Sequence, residues 1–283
     1  LYATYVNLIL EGGFSFPTWD PYHMAGEPMV RPLGFHYLAA LISLMFHMDP
    51  VWAVLYTGIF LSALTPITMY FLAKRLTERD ELALLCAGLS SVNYLDIEIL
   101  SWGGYPNIAG LALLPLAFYF SLGTTKRNKV AAALLISTLA LIDHSSFFMC
   151  LATLGVYAIF LLARKGFREA LTFVTPILVG VAITAPWLIS YGMKIYLYTL
   201  TAKLKPEMWY SLSEYGAILL FMQRNAVIMP FLVIGVPISL RSKGKNFLLL
   251  WTVPSLILML FYFLGLYLTY VRLIYFLNQP IMI

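Results

Sequence analysis

The feature that most constrains this chain is a series of apolar segments, most of them nearly as long as a bilayer core is thick. A helix needs about 20 apolar residues to cross that core. Charged residues make up only 11% of the chain, against roughly 25% in soluble domains. So few charges cannot cover the surface of a soluble protein of this length. The pattern excludes a soluble globular enzyme, a nucleic-acid-binding domain and a disordered chain.

We therefore expect an all-α fold, a polytopic transmembrane helix bundle that forms one domain over residues 1–283. The expected spans lie at about 51–73, 82–94, 108–124, 130–142, 147–163, 171–190, 226–240 and 247–268, with partial spans at 1–10 and 273–283. Since both partial spans lie at the ends of the sequence, we expect a domain that is truncated at both ends.

Basic residues predict the orientation of this bundle. They form four clusters, each separated from the next by two expected spans: Lys74, Arg75 and Arg79; Lys126, Arg127 and Lys129; Arg164, Lys165 and Arg168; Arg241, Lys243 and Lys245. All four clusters then fall on one face, and excess Lys and Arg marks the cytoplasmic face. The sequence thus predicts an integral protein of the cell membrane whose active face is extracytoplasmic.

The opposite face receives most of the acidic residues and all four histidines. Its first loop spans residues 11–50, and its other loops are 95–107, the turn at 143–146 and the long loop 191–225. Residues 33–47 are apolar but short for a span. If they crossed the membrane, the first basic cluster would lie on the outer face. We expect this segment to be an interfacial helix along the outer leaflet, so the first loop is an ordered element.

The stretch 12–38 is unusually rich in turn formers and in side chains that can carry chemistry. Four prolines interrupt it, and Asp20, His23, Glu27 and Arg31 lie within twelve residues. Aromatic side chains are interleaved, including Trp19, Tyr22 and Tyr37. This composition suits a loop anchored among lipid headgroups and equally a surface on which sugar rings stack.

The pattern W-D-P-Y-H-x-x-G-E-P, followed by P-L-G-x-H-Y-L, resembles the first outer loop of GT-C membrane glycosyltransferases of archaea and bacteria. The segments 102–107 (WGGYPN) and 271–276 (VRLIYF) are similar to the same group. The resemblance implies a GT-C-like bundle with interfacial helices in the first loop. It also implies an inverting transferase that takes a sugar from a polyprenyl- or dolichyl-phosphate donor to a glycan, lipid or protein acceptor, with no nucleic acid involved.

Glycosyl transfer from a lipid phosphate needs a base for the acceptor hydroxyl and cations for the departing phosphate. The resemblance implies Asp20 as this catalytic base, about ten residues past the first span, with Glu27 and His23 as auxiliary candidates. Arg272 and Arg31 are the candidates for the donor phosphate. An Arg at a span end also reaches toward headgroups for purely structural reasons, and that alternative stays open for Arg272.

The resemblance implies no certain cofactor. Carboxylate and water ligands suit Mg²⁺ or Mn²⁺, and Asp20, His23 and Glu27 are the residues that would hold such an ion. The chain nevertheless lacks the paired Asp-x-Asp of the metal-using members. A metal site is therefore an alternative rather than an expectation.

We expect a substrate cavity on the outer face. Its candidate lining residues are His144, Asp143, His36, Tyr105, Trp19 and Tyr22. Ionisable residues beside membrane spans are functional candidates by default, although the turn at Asp143 and His144 is also open to solvation. His47 and Asp49 are instead expected to end and begin helices.

Two other functions fit a chain of this composition. A transporter or lipid flippase would carry ionisable residues in mid-span and broken helices near the bilayer centre. A non-catalytic subunit of a membrane complex would tolerate the loss of Asp20. A ligase that joins a lipid-diphosphate glycan to another acceptor is a related enzymatic alternative.

Overall fold

The computed structural model describes most of the chain. The described residues are 2–17, 19–21, 27–28, 32–101, 103–201, 237, 241–260 and 270–283. For some of them the backbone alone is described: residues 20, 27–28, 94–96, 191–201, 258–260 and 270–274.

Helices dominate the described chain, and one small hairpin interrupts them. The helices are α1 (Tyr2–Glu11), α2 (Gly34–Phe46), α3 (Pro50–Thr77), α4 (Asp80–Ser91), α5 (Tyr94–Ser101), α6 (Tyr105–Ser121), α7 (Lys126–Ile142), α8 (His144–Lys165), α9 (Phe167–Thr201), α10 (Lys245–Leu260) and α11 (Tyr270–Met282). The hairpin pairs β1 (Trp19–Asp20) antiparallel with β2 (Glu27–Pro28). The helical fold class is therefore confirmed.

Three of the described helical segments are long and apolar enough to cross a membrane: Pro50–Thr77, His144–Lys165 and Phe167–Ser190. Helices also occupy other expected spans, but α6 and α7 have 17 residues each, α10 has 16 and α4 has 12. The expected span 226–240 lies outside the described residues apart from Pro237.

Two loop predictions were wrong in extent. The loop 95–107 contains α5, and the long loop expected from residue 191 is still helical as far as Thr201. The segment from Tyr191 to Thr201 contains no proline, and its single glycine, Gly192, lies inside the helix and does not end it. The expected interfacial segment is indeed a separate helix, α2, of 13 residues.

Residues at the helix ends explain where α2, α3 and α8 begin or end. The Asp49 carboxylate accepts a hydrogen bond from Val51 N (2.8 Å) before Pro50 at the first helical position, a standard start for a helix. His47 ends α2 in the left-handed conformation (φ 48°). Gly166 ends α8 at φ 95°, which glycine adopts without a Cβ clash. The expected roles of His47 and Asp49 are confirmed.

Aromatic side chains form the centre of the bundle, where α6, α8 and α10 meet. Trp251 is fully buried, and its ring contacts Phe118 edge to face at 4.8 Å. Phe247 contacts both Phe118 (5.3 Å) and Tyr157 (5.2 Å). Such edge-to-face pairs add to the free energy gained from burial, so these three helices form one packed unit.

Large apolar side chains also cover the outside of the long helices. On α3 they include Trp52, Phe60 and Ile67, each more than half exposed, and on α9 Leu178 and Ile189. Contiguous exposed apolar surface of this extent is unusual for soluble monomers and marks contact with lipid or protein. The exposed faces and the three long apolar helices together indicate a membrane protein.

The four basic clusters meet at one end of the bundle, here called the basic end and defined by the twelve cluster residues named above. Lys243 pairs with Glu78 beside the first cluster (2.7 Å), and Gly244 N donates to Leu76 O (3.0 Å). The Arg75 guanidinium donates to Tyr119 O near the end of α6. Since α6 leads directly into α7, the second cluster lies at the same end. Gly166 joins α8 to α9, and the residues of the third cluster lie on both sides of it, at the same end of the bundle.

Helix α11 is held against α4 and α6 by buried amides. Asn278 Nδ2 donates to Asn93 Oδ1 (2.9 Å), and Gln279 Nε2 donates to Leu111 O (2.7 Å). Pro115 has no N–H, so the carbonyl four residues earlier, at Leu111, lacks its donor within α6. Gln279 supplies that donor from another helix and fixes the position of α11 along α6.

Candidate functional site

A cavity of about 250 Å³ opens at the end of the bundle opposite the basic end. Residues from four separate parts of the chain line it: Tyr2, Pro32, His36, Pro106, Asn107, Ile142, Asp143 and His144. It lies where α2, α6 and α8 begin and where α7 ends. Helix α7 has 17 residues, so the cavity is about 25 Å from the second basic cluster at 1.5 Å per residue. Three of the expected cavity residues, His36, Asp143 and His144, therefore meet in one place.

Asp143 organises the cavity wall as a helix cap. Its side chain is 3% exposed, and Oδ2 accepts from Ser146 N (2.8 Å) and Ser146 Oγ (2.6 Å). Its other oxygen accepts from Asn107 Nδ2 (3.4 Å). The carboxylate thus satisfies the N-terminus of α8 and orients His144, the first residue of that helix. Because its oxygens are engaged in these bonds, Asp143 acts as a positioning residue.

A glycine on α6 makes this arrangement possible. A Cβ at Gly110 would collide with Ser146 Oγ and would approach Asp143 Cβ to 3.2 Å. The absence of a side chain lets the start of α8 press against α6. On the other side of the cavity, a Cβ at Gly34 would come within 2.6 Å of Leu141 O. Close approaches at two glycines therefore bring α6 against the start of α8 and α2 against the end of α7, on two sides of the cavity.

His36 lies in an aromatic surrounding at the cavity. It is 1% exposed. Its ring stacks on Tyr2 (5.4 Å between centroids, 18° between planes) and meets Tyr5 edge to face at 5.1 Å. Phe35, the preceding residue, also contacts it edge to face. These rings hold the imidazole in one orientation at the cavity wall.

Tyr105 lies behind the cavity and is not among the side chains that line it. Its ring stacks on Phe35 (6.0 Å, 10°), meets Tyr2 edge to face (5.6 Å) and packs on Gly58 of α3. It therefore connects the cavity wall to α3, one of the long apolar helices. Tyr105 supports the rings around His36.

The hairpin of the first loop places Asp20 opposite Glu27. These two residues are direct Cα partners in the antiparallel register, as are Trp19 and Pro28. For Asp20 and Glu27 the backbone alone is described. Trp19 is 51% exposed on the hairpin and does not line the cavity. Strand pairing thus brings together the backbones of two predicted catalytic residues that lie seven positions apart in the sequence.

Three predicted site residues, Tyr22, His23 and Arg31, lie outside the described residues. Arg272 belongs to the first turn of α11, where the backbone alone is described. Arg272 precedes Asn278 by six residues, about 9 Å of helix. The C-terminal residue of α11, Met282, packs with Met69, Ala73 and Ala83 toward the basic end. The backbone of Arg272 therefore lies toward the end that holds the cavity.

Within the part of the chain that the structure describes, no group of three His, Cys, Asp or Glu side chains is arranged to hold a metal ion. At the cavity, the oxygens of Asp143 already accept hydrogen bonds from Ser146 and Asn107. This donor set therefore does not fit a resident ion. The alternative set, Asp20, His23 and Glu27, includes a residue outside the described range.

Sequence reasoning gave no role to Asn107, Tyr2 or Gly110. Asn107 was noticed only as the last residue of the WGGYPN segment, yet it is 5% exposed and bonds to Asp143 across two helices. The only sequence signal was an amide directly after Pro106, and it does not reveal the partner Asp143. For Tyr2 and Gly110 the sequence carries no signal, because their roles depend on neighbours more than 30 residues away.

Comparison with known proteins gives a family but no activity. No functionally curated protein matches the chain. A family model described as a family of unknown function (DUF6541) matches residues 5–279. This match spans most of α1, the first-loop hairpin, every cavity residue except Tyr2, and most of α11. The protein therefore belongs to the family DUF6541.

Proposed function

We propose that the protein is a GT-C-type membrane glycosyltransferase. It transfers a sugar from a polyprenyl- or dolichyl-phosphate donor to an acceptor at the end of the bundle opposite the basic end. In this proposal Asp20 is the general base, Glu27 and His23 assist it, and Arg272 and Arg31 bind the donor phosphate. If the basic end faces the cytoplasm, the reaction takes place on the extracytoplasmic face.

The observation that carries the proposal is the cavity shared by His36, Asp143 and His144. Concave sites with a few convergent polar groups are the usual places of ligand binding. This one combines two imidazoles and an amide with the aromatic ring of Tyr2. Aromatic faces and hydrogen-bonding groups together suit a sugar ring.

The hairpin supports the choice of the base. Its register sets two carboxylate-bearing residues, Asp20 and Glu27, directly opposite each other. The exposed Trp19 precedes Asp20 in the strand and offers an aromatic face for a sugar ring. A general base must come within hydrogen-bonding reach of the hydroxyl that it deprotonates, and an ordered hairpin holds its backbone in place better than a free loop.

The helix α11 supports the assignment of the phosphate site. Its first turn carries Arg272 and lies toward the same end as the cavity. A guanidinium binds a departing phosphate through two parallel hydrogen bonds. The buried bond from Gln279 to Leu111 O fixes the height of this turn, so Arg272 begins from a defined backbone position.

The transporter alternative draws less support from the described chain. In the three long apolar segments 50–77, 144–165 and 167–190, the Asp, Glu, Lys and Arg residues lie only within the first or last turns. Transport through such helices needs ionisable groups at mid-span. The sugar-transfer assay described next distinguishes an enzyme from a non-catalytic subunit.

The test is sugar transfer from labelled polyprenyl-phosphate donors by the purified full chain and its Asp20→Asn variant. A general base contributes about 10²–10⁴-fold to the rate, so we expect a loss of that size with the amide. Glu11→Gln is the matched control, because Glu11 is exposed at the end of α1. Unchanged transfer by Asp20→Asn removes Asp20 as the base, and transfer by neither protein contradicts the proposed activity.

A further inference from the structure

A second cavity, of about 360 Å³, lies at the basic end and has no part in the proposed reaction. It opens between the link from α6 to α7 and the first turns of α9. The side chains that matter for its chemistry are Lys129, Arg168, Glu169, Ser121, Phe173 and Pro176. The two basic residues come from different clusters and meet only in the folded chain.

The charges of this cavity suit one anion. Lys129 and Arg168 contribute two positive charges and Glu169 one negative charge, which leaves a formal charge of +1. Arg168 and Glu169 also belong to the first turn of α9. The amide groups of a first helical turn have no partners within their own helix, and the helix dipole there favours an anion. A monoanionic group would neutralise the cavity.

Part of the cavity wall is apolar. Phe173 and Pro176 form it on α9, and Leu122 continues it at the end of α6. The ring of Phe173 packs edge to face on Tyr157 of α8 at 5.2 Å, so the wall is rigid. A small hydrated anion gains nothing from such a wall, whereas an anion attached to an acyl chain does.

A buried hydroxyl gives a further indication of a ligand. Ser121 lines the cavity and is 5% exposed, and its Oγ makes no hydrogen bond to any residue that the structure describes. A serine in a helix usually bonds to the carbonyl of the preceding turn. A buried hydroxyl without a partner costs about 1–3 kcal/mol, a cost that a bound headgroup oxygen or its water would remove.

We propose that this cavity binds the phosphodiester headgroup of one anionic membrane lipid. Lys129 and Arg168 hold the phosphate, Glu169 accepts a hydroxyl of the headgroup, and the acyl chains leave along Phe173 and Pro176. Basic pockets between membrane helices are known to take such headgroups. The shared chemistry is a monoanionic phosphodiester, and the apolar wall favours a lipid over a soluble phosphate.

The test uses native mass spectrometry of the full chain in detergent, titrated with phosphatidylglycerol or phosphatidylcholine. The cavity variant is Lys129→Gln with Arg168→Gln. The control is Lys126→Gln with Arg127→Gln, which removes the same charges from exposed residues of the second cluster that do not line the cavity. Loss of two charged hydrogen bonds should weaken phosphatidylglycerol binding by at least about tenfold, while the control stays within about twofold.

Two further arms keep the test decisive. A charge-retaining variant, Lys129→Arg with Arg168→Lys, should bind phosphatidylglycerol like the unmodified protein, which separates lost binding from misfolding. Soluble glycerophosphoglycerol, the deacylated headgroup with the same monoanionic phosphodiester, should not raise the temperature of unfolding as phosphatidylglycerol does. The proposal is overturned by equal losses in the cavity and control variants, by equal binding of phosphatidylcholine, or by full stabilisation with glycerophosphoglycerol.

Discussion

At the scale of single residues, the cavity opposite the basic end depends on the absence of a side chain at Gly110. The start of α8 carries Asp143, Ser146 and His144, and all three reach their places only because α6 has a glycine where α8 approaches it. The position of His144 therefore depends on Gly110, which has no functional side chain.

Gly110→Ala should destabilise the protein and distort the cavity. The added Cβ collides with Ser146 Oγ, and overpacking of this kind costs about 1–3 kcal/mol. Gly155→Ala in α8 is the control, since no described atom lies within 4 Å of its Cβ position. That change should raise stability by about 0.5–1 kcal/mol through helix propensity. Thermal unfolding in detergent measures both; equal effects of the two variants would contradict the close approach.

At the scale of helices, two contacts decide how neighbouring elements are held. The carbonyl that Pro115 leaves without a donor in α6 is satisfied by Gln279 of α11. At the basic end, Asp80 joins the start of α4 to the end of α3, because it accepts from Tyr70 Oη (2.8 Å) and pairs with Lys74 (2.7 Å). One contact is buried and the other is exposed, so they respond to different perturbations.

Gln279→Met should cost about 1–3 kcal/mol, because it leaves the Leu111 carbonyl buried without a donor. Pro115→Ala restores the N–H that normally serves this carbonyl. The double variant should therefore lose less stability than the sum of the single variants, with a coupling of about 0.5–3 kcal/mol. The free energies of unfolding of the four proteins in a double-mutant cycle measure it. Strict additivity would show that Gln279 and Pro115 act on different groups.

Asp80 should make the pairing of α3 with α4 sensitive to acid. The hydrogen bond from Lys74, followed by that from Tyr70, lowers the pKa of Asp80 below its ordinary value. A lowered pKa means that the ionised form stabilises the fold above the unfolded-state pKa, and that this contribution is lost as the pH falls through the folded-state pKa. The gap in unfolding temperature between the unmodified protein and Asp80→Asn should be present at neutral pH.

The same gap should close as the pH falls through the lowered pKa of Asp80 and its carboxyl group becomes protonated. Glu81→Gln, a change of the same charge at the next residue of the same helical turn, serves as the control and should leave a smaller gap at neutral pH. A difference between unmodified protein and Asp80→Asn that does not change with pH would show that the pair contributes through packing alone.

At the scale of the whole molecule, the bundle has two chemically different ends. One gathers the four basic clusters, and the other holds the cavity with His36, Asp143 and His144. The basic residues are cytoplasmic in most membrane proteins, so the cavity should face the outside of the cell. This arrangement would place the proposed site and the proposed lipid-binding cavity in opposite leaflets.

Cysteine labelling tests this orientation. Ser91→Cys places a thiol on an exposed residue at the end of α4 away from the basic end, and Thr124→Cys places one on an exposed residue at the basic end. The native Cys86 and Cys150 are buried and give a low background. A membrane-impermeant maleimide should label Ser91→Cys in intact cells and Thr124→Cys only after permeabilisation. The reverse pattern would place the basic end outside.

The sequence by itself determined the class of fold and the sorting of charge. Apolar segments of membrane length specify helices, since every backbone polar group in a bilayer must be satisfied within the segment. The basic clusters follow from the spacing of those segments, and the caps at Asp49 and His47 are local. These features depend on residues close together in the chain, so a pattern is enough to find them.

Only the tertiary structure decided which of the candidate residues meet. His36 and Asp143 are more than 100 residues apart and share a cavity because α2 packs closely on the end of α7 at Gly34 and α6 packs closely on the start of α8 at Gly110. Asn107 and Gln279 found their partners in the same way. Contacts of this kind depend on the shape of the surfaces that pack together, and composition and periodicity carry no record of it. The fate of the Leu111 carbonyl is the clearest case: its loss of a donor follows from Pro115 in the sequence, but only packing determined that Gln279 would replace it.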